Sequence, residues 1–325
     1  MLFKSSVATL SVAATLLSSS AAFDALSNKN LAVYWGSGDN QPRLSHFCAD
    51  SAIDIIPIGF VNEFPDQAPG GYPGDDFANA CWADTFTTPD NKATHLKSHC
   101  PTIAEDIPIC QGLGKKILLS LGGGAATDAS LNDDASGEAF AEFLWKAFGP
   151  YDASSTVPRP FGNDVVVDGF DFDVEYNGSV GYAAMIDRLR ALYHGDQSRT
   201  YYISGAPQCK VPDAQLGPAI RDSWFDFIWI QFYNTAGCSA RDFVDGTGHF
   251  TYGDYVDIIQ NAPNPDVKIF IGLPGGTTAA NAGFYITPSE VEDITTSISH
   301  QFPDNFGGLM VYEATVAEKN KDAHG

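Results

Sequence analysis

Eight short apolar runs recur along this chain, and they restrict its possible folds more than any other feature. They are residues 31–35 (LAVYW), 54–60 (DIIPIGF), 116–121 (KILLSL), 165–176 (VVVDGFDFDVEY), 200–206 (TYYISGA), 227–233 (FIWIQFY), 267–273 (VKIFIGL) and 308–312 (GLMVY). Each is rich in strand-forming residues, and all but the fourth are shorter than an ordinary helix. Near-continuous apolar character belongs to strands covered on both faces, as in a parallel sheet wrapped by helices. Helical patterns fall between the runs, over 44–53, 138–148, 288–300 and, most clearly amphipathic, 180–193. Eight strands alternating with helices or loops predict an α/β chain folded as a single (β/α)8 barrel. Pro57, inside the second run, is tolerable only at an edge or an irregularity. The chain has no internal repeat, low-complexity tract or interdomain linker.

The fourth run carries the chemistry. It places Asp168, Asp171, Asp173 and Glu175 in an otherwise apolar segment. Side chains alternate along a strand, so Asp171, Asp173 and Glu175 share one face, each about 7 Å from the next. Phe170, Phe172 and Val174 take the other face, while Asp168 is out of phase unless Gly169 permits a bulge. Two carboxylates 7 Å apart repel by roughly 2.4 kcal/mol at an effective dielectric near 20, nearly two pH units. The row should therefore retain a proton above the usual acid range, as a general acid requires. An exposed edge strand or a hard-cation site would also use such a row. The apolar flanks favour a central strand and acid catalysis.

The N-terminus reads as an export signal over residues 1–22: Lys4, an apolar stretch from Val7 to Leu17, and small residues up to Ala22. This leaves one domain, residues 23–325, with no apolar run of membrane-spanning length and an extracellular or cell-wall destination. The formal charge of −22 excludes a polyanionic partner such as nucleic acid or an anionic membrane. The six cysteines, all beyond the signal, predict three disulfides in an exported chain. Spacing alone leaves 15 connectivities open. His95, His99 and Cys100 form a metal-like cluster, but a disulfide at Cys100 is the expected use. Residues 61–100 are loop-like and carry Phe64, Tyr72, Phe77, Trp82 and Phe86, which fits either a binding rim or a satellite apolar cluster.

Several activities lack their motifs. The glycines at 122–124 make no phosphate loop, and Ser120 sits in no nucleophile elbow. In a barrel, functional groups gather at the C-terminal strand ends. There the fold would bring together Tyr34, Ser120, Asp171, Asp173, Glu175, Gln231, Tyr233 and Tyr312. Aromatic rings around protonatable carboxylates suit a carbohydrate, whose pyranose faces stack and whose hydroxyls need polar partners.

The run DGFDFDVE fits the D-x-x-D-x-D-x-E signature, and SLGGG the S-x-G-G motif, of family 18 glycoside hydrolases. YWG at 34–36, GAPQC at 205–209 and IQFYN at 230–234 resemble the compact plant and fungal class III chitinases, so the resemblance spans nearly the whole mature chain. It implies a secreted, monomeric, endo-acting enzyme that hydrolyses chitin or chitooligosaccharides with retention, using the substrate's acetamido group as nucleophile. By resemblance Glu175 is the general acid and base, and Asp173 holds the acetamido group. Asp171 shares a proton with Asp173, and Tyr233 hydrogen-bonds the acetamido oxygen. Tyr34, Ser120, Gly122, Gly123, Gln231, Asn234 and Tyr312 line the substrate site. No metal or organic cofactor is implied. Family bridges imply Cys209–Cys238 and Cys48–Cys110, which leaves Cys81 with Cys100.

Two features depart from the family. Tyr312 stands where a tryptophan usually ends the last strand, and the 61–100 segment is longer than in the plant enzymes. Asn177-Gly178-Ser179 is a glycosylation sequon two residues past Glu175. The sequence shows no appended binding module, an expectation of preference for soluble chains. Two other readings remain: an endo-β-N-acetylglucosaminidase acting on N-glycan cores, and a noncatalytic lectin or inhibitor, which the intact acidic row disfavours.

Overall fold

The eight apolar runs form parallel strands that close into a barrel, seen in a computed structural model that describes residues 23–321. The predicted export signal lies outside the described residues. In chain order the strands are β1 (Asn30–Val33), β2 (Ile55–Val61), β3 (Thr85–Thr87), β4 (Ala93–Lys97), β5 (Lys116–Gly122), β6 (Gly169–Asp173), β7 (Tyr202–Gly205), β8 (Phe227–Gln231), β9 (Lys268–Pro274) and β10 (Phe306–Tyr312). All but β3 and β4 belong to the barrel, each pairing with the next in sequence, and β10 closes it against β1. The helices are α1 (Leu44–Cys48), α2 (Pro101–Gly112), α3 (Asp134–Phe148), α4 (Tyr182–Gly195), α5 (Gly217–Asp222), α6 (Ala240–Val244), α7 (Tyr252–Ile259), α8 (Pro288–Gln301) and α9 (Ala314–Lys319).

Strand alternation divides the core in two. Phe170, Phe172, Ile203, Ile228, Ile230, Ile269 and Ile271 face outward under the helices. Ala32, Tyr34, Leu118, Phe227, Trp229, Phe270 and Met310 fill the barrel interior. Inward positions are therefore bulky low in the barrel and give way to the carboxylates towards its C-terminal end.

Several boundaries differ from the sequence-based expectation. The helix expected over 44–53 stops at Cys48. The helix expected from 138 starts a turn earlier, because Asp133 and Ser136 form a reciprocal capping box. Helix α2 escaped prediction because Pro108 interrupts it, although Pro101 at its first turn is a favourable start. Pro57 is not at an edge, since β2 lies between β1 and β5; the pairing register with β5 shifts just beyond it, between Ile58 and Val61. Gly169 introduces no bulge: β5 and β6 pair in continuous register. It adopts φ of +146° where a Cβ would lie 1.9 Å from the Tyr202 carbonyl oxygen. Asp168 is thereby turned away from the acidic row, accepting from the Ile117 amide and the Gln111 side chain, each at 2.9 Å.

The 61–100 segment is an apolar cluster continuous with the outer core rather than a rim of exposed rings. Phe64 and Phe77 are buried, Phe64 against Phe140 and Phe77 against Phe161. Tyr72 packs on Phe86 and Phe143, and only Trp82 faces solvent. Disulfides join Cys48 to Cys110, Cys81 to Cys100 and Cys209 to Cys238, the three pairings the resemblance implied. Cys100 is thus unavailable to a metal, and His95 pairs with Glu63 at 2.7 Å.

Candidate active site

The acidic row sits where β6 ends, inside the mouth of the barrel. Asp171 is fully buried and accepts three hydroxyl hydrogen bonds: Tyr34 and Ser120 donate to Oδ2 at 2.6 Å, and Ser204 to Oδ1 at 2.7 Å. Trp229 Nε1 donates in turn to the Tyr34 hydroxyl at 2.9 Å. Burial pushes the Asp171 carboxyl up, and the three hydroxyls pull it partly back by favouring the anion.

Asp173 and Glu175 form the titrating pair. Burial pushes Asp173 well above the usual carboxylate range, and the charges of Glu175 and Asp171 push it further. Burial also raises Glu175, with Asp213 adding to the rise, while hydrogen bonds from Gln231 and Asp173 offset it in part. Both carboxyls are thus raised above the range of free acids. Gln231 Nε2 binds both members, at 2.9 Å to Asp173 Oδ1 and 3.4 Å to Glu175 Oε1, and also donates to the Ala206 carbonyl at 3.0 Å.

Asp171 lies next to this pair along the strand and adds its charge to the rise of Asp173. Its own oxygens are taken up by three hydroxyl donors.

Glycines hold the row in place. Gly122 adopts φ of +102°, and a Cβ there would lie 2.3 Å from the Asp173 carbonyl oxygen. The Gly123 amide donates to that same oxygen at 2.7 Å. A Cβ on Gly124 would sit 3.5 Å from Glu175 Oε1. Tyr34, Ser120, Gly122 and Gly123, expected to line a substrate site, thus lie beneath or behind the carboxylates and fix them. Their burial follows from the inward or crossing positions they occupy.

Glu175, Gln231, Tyr233 and Asn234 do reach the surface of a cavity of about 430 Å³, shared with Gln208, Lys210 and Thr235. The Tyr233 ring is buried against the acidic pair, whose charges together with burial push its hydroxyl well up. Asn234 takes φ of +61°, and its Oδ1 accepts from the Asn281 amide at 2.7 Å, tying the loops after β8 and β9 together. Tyr312 ends β10 beside a second cavity of about 560 Å³, its hydroxyl 3.2 Å from Ser37 Oγ and its ring edge-to-face with Tyr34. A third cavity, about 390 Å³, opens beside residues 125–129 and is lined also by Asn62, Gln67 and His95. The loops around the barrel mouth thus carry several open depressions rather than one enclosed cavity.

Asn177 donates both amide hydrogens inward, to the Thr127 carbonyl at 2.7 Å and the Ala129 carbonyl at 3.0 Å. A glycan on that nitrogen would replace one of these donors, so the sequon asparagine is engaged in holding the loop after β6.

Sequence reasoning missed Ser204, Trp229 and Asp213. Trp229 lies two residues before Gln231, so strand alternation was a usable signal there, whereas β7, which carries Ser204, held no recognised site position. Asp213 is in a loop with no periodicity.

The match to known proteins agrees with this geometry. A family model for glycosyl hydrolases family 18 matches residues 30–315. Endochitinase A1 of Aspergillus fumigatus is 51% identical over 309 residues, covering 95% of this chain and 37% of the relative. The chain spans about a third of the length of such curated relatives. Among solved structures, a chitinase from Ipomoea carnea, ICChI, is 26% identical with a TM-score of 0.67, covering 89% of this chain and 96% of that one. A xylanase and α-amylase inhibitor protein from Scadoxus multiflorus is similarly close, at 28% identity and a TM-score of 0.67, covering 89% and 94%. By its barrel, its acidic row and this match, the chain belongs to glycosyl hydrolase family 18.

Proposed function

We propose that this chain is an endo-acting chitinase that hydrolyses β-1,4-linked N-acetylglucosamine chains with retention of configuration. The observation that carries the reading is the buried Asp173–Glu175 pair, its carboxyls pushed up by burial, open to the cavity at Glu175 and with Asp171 beside it on the strand. Glu175 gives its proton to the glycosidic oxygen as the bond to C1 breaks. The substrate's own acetamido oxygen attacks C1, so no second carboxylate has to act as nucleophile, in line with this family's place outside the two-carboxylate scheme. Asp173 accepts from the acetamido N–H and stabilises the positive charge of the oxazolinium ring. The Tyr233 hydroxyl, which makes no hydrogen bond among the described residues, is available to donate to the acetamido oxygen. Glu175, now ionised, takes a proton from the water that opens the ring, and the β-anomer leaves. Tyr312 offers its ring face to a sugar.

The test is product analysis with chitin hexamer and, in parallel, a high-mannose glycopeptide. Short chitin oligomers appearing first as β-anomers by NMR are expected. Release of glycan alone would assign the chain to endo-β-N-acetylglucosaminidases. Binding of the hexamer without cleavage would make it a lectin.

A further inference from the structure

The segment that carries Glu175 continues directly into a clamp on the neighbouring loop. The Tyr176 hydroxyl donates to the Gly124 carbonyl at 3.0 Å. Asn177 follows with φ of +64°, a left-handed conformation that asparagine tolerates better than most side chains. Its amide donates both hydrogens to carbonyls of that same loop, Thr127 at 2.7 Å and Ala129 at 3.0 Å. Two consecutive residues thus hold the connection between β5 and α3 with three hydrogen bonds.

The far end of the clamped loop is tied to the segment after β2. The Ser130 amide donates to Gln67 Oε1 at 3.2 Å, and the Asn132 amide to Asp66 Oδ2 at 2.8 Å. Between these two anchorages, residues 125–129 form one wall of the cavity of about 390 Å³, and Asn62, Gln67 and His95 line its other side. The head of the loop stands against the catalytic acid, since a Cβ on Gly124 would lie 3.5 Å from Glu175 Oε1. Five residues of chain extend at most about 18 Å, so a polymer bound at Glu175 has the whole wall within reach.

We propose that Asn177 is a positioning residue for sugars bound away from the cleaved bond: it fixes the wall formed by residues 125–129, and this use keeps its sequon free of glycan. The role rests on the chitinase reading and adds to it. A glycan on Nδ2 would displace one of the two donated hydrogens and place a sugar where a carbonyl now stands within 3.0 Å. Clamp and glycan therefore exclude each other. Ser179 completes the sequon and takes no part in the three bonds, which allows the two roles of Asn177 to be separated.

The experiment compares KM and kcat on chitin hexamer with those on a nitrophenyl chitobioside, whose two sugars sit next to the cleaved bond. Asn177→Asp keeps the side chain's shape but turns both donors into acceptors that face carbonyls. It should raise KM for the hexamer by about tenfold, as for the loss of two modest hydrogen bonds, and KM for the chitobioside by less than about twofold. Ser179→Ala, which removes the sequon and leaves the clamp, should match the unaltered protein on both substrates, and the intact mass of the exported protein should show no glycan at Asn177. Should Asn177→Asp fail to fold by circular dichroism, Asn177→Gly, which keeps the left-handed backbone, takes its place. A folded variant that loses equally on both substrates, or on neither, overturns the proposal. So does a glycan at Asn177 in protein whose hexamer KM equals that of Ser179→Ala. If the unaltered protein turns over neither substrate, the chitinase reading fails, and hexamer affinity by calorimetry, lowered or unchanged in Asn177→Asp, decides for or against the clamp.

Discussion

Replacing Glu175 by glutamine should trade turnover for stability, and the two effects have different pH signatures. Asp173 and Glu175 both have folded-state carboxyls raised above their unfolded values. For such groups the native state is favoured when they are protonated. Their stabilisation is complete below about pH 4, where the unfolded chain is protonated too, and declines as pH rises towards the folded values. The i, i+2 spacing of Asp173 and Glu175 at the end of β6 gives a repulsion of roughly 2.4 kcal/mol at 7 Å and an effective dielectric near 20. Glu175→Gln removes one titrating group and lets Asp173 ionise alone, facing amide donors. The variant should gain about 2 kcal/mol at pH 8, a rise in Tm on the order of 5 °C for a chain of this size. Near pH 4 the gain should disappear. Turnover should fall by about 10²–10⁴-fold or more. Urea unfolding at both pH values and hydrolysis of chitin hexamer are the assays. A stability gain equal at both pH values would refute the electrostatic account, and near-normal turnover would refute the role of Glu175.

Two further substitutions address the support beneath the row. Tyr34→Phe removes a donor to Asp171 and strands the Trp229 N–H inside the barrel, so it should destabilise by about 2–4 kcal/mol in urea unfolding at unchanged m; a change below about 1 kcal/mol would contradict it. Asp75, in the 61–100 segment, is buried with Oδ2 unpartnered, and burial pushes its carboxyl up to about 7. Because its ionisation opposes folding as pH rises from about 4 to 7, Asp75→Asn should stabilise the chain at pH 8 by up to roughly 4 kcal/mol and little at pH 4. Destabilisation at pH 8 would show that the carboxylate is satisfied there.

The barrel was legible because its strands are apolar on both faces, a pattern that only a helix-covered parallel sheet uses in bulk. The acids on residues 171, 173 and 175 were legible because period-2 alternation is strict once the strand is recognised. Cysteine pairing was not available from spacing; it came with the family resemblance. What only the tertiary structure decided depends on contacts distant in sequence. Ser120 and Tyr34 looked like cavity residues, yet β5 and β1 turn their hydroxyls onto Asp171, 51 and 137 residues away. The aromatic loop read equally well as a rim or a cluster, and packing against Phe140 and Phe161 made it a cluster. Asp213 carries no local pattern at all, since its partners are backbone amides brought round by the loop itself. Alternation is a property of one strand and survives in one dimension. Which donors each acid receives depends on side chains converging from several strands, and that is settled only when the barrel closes.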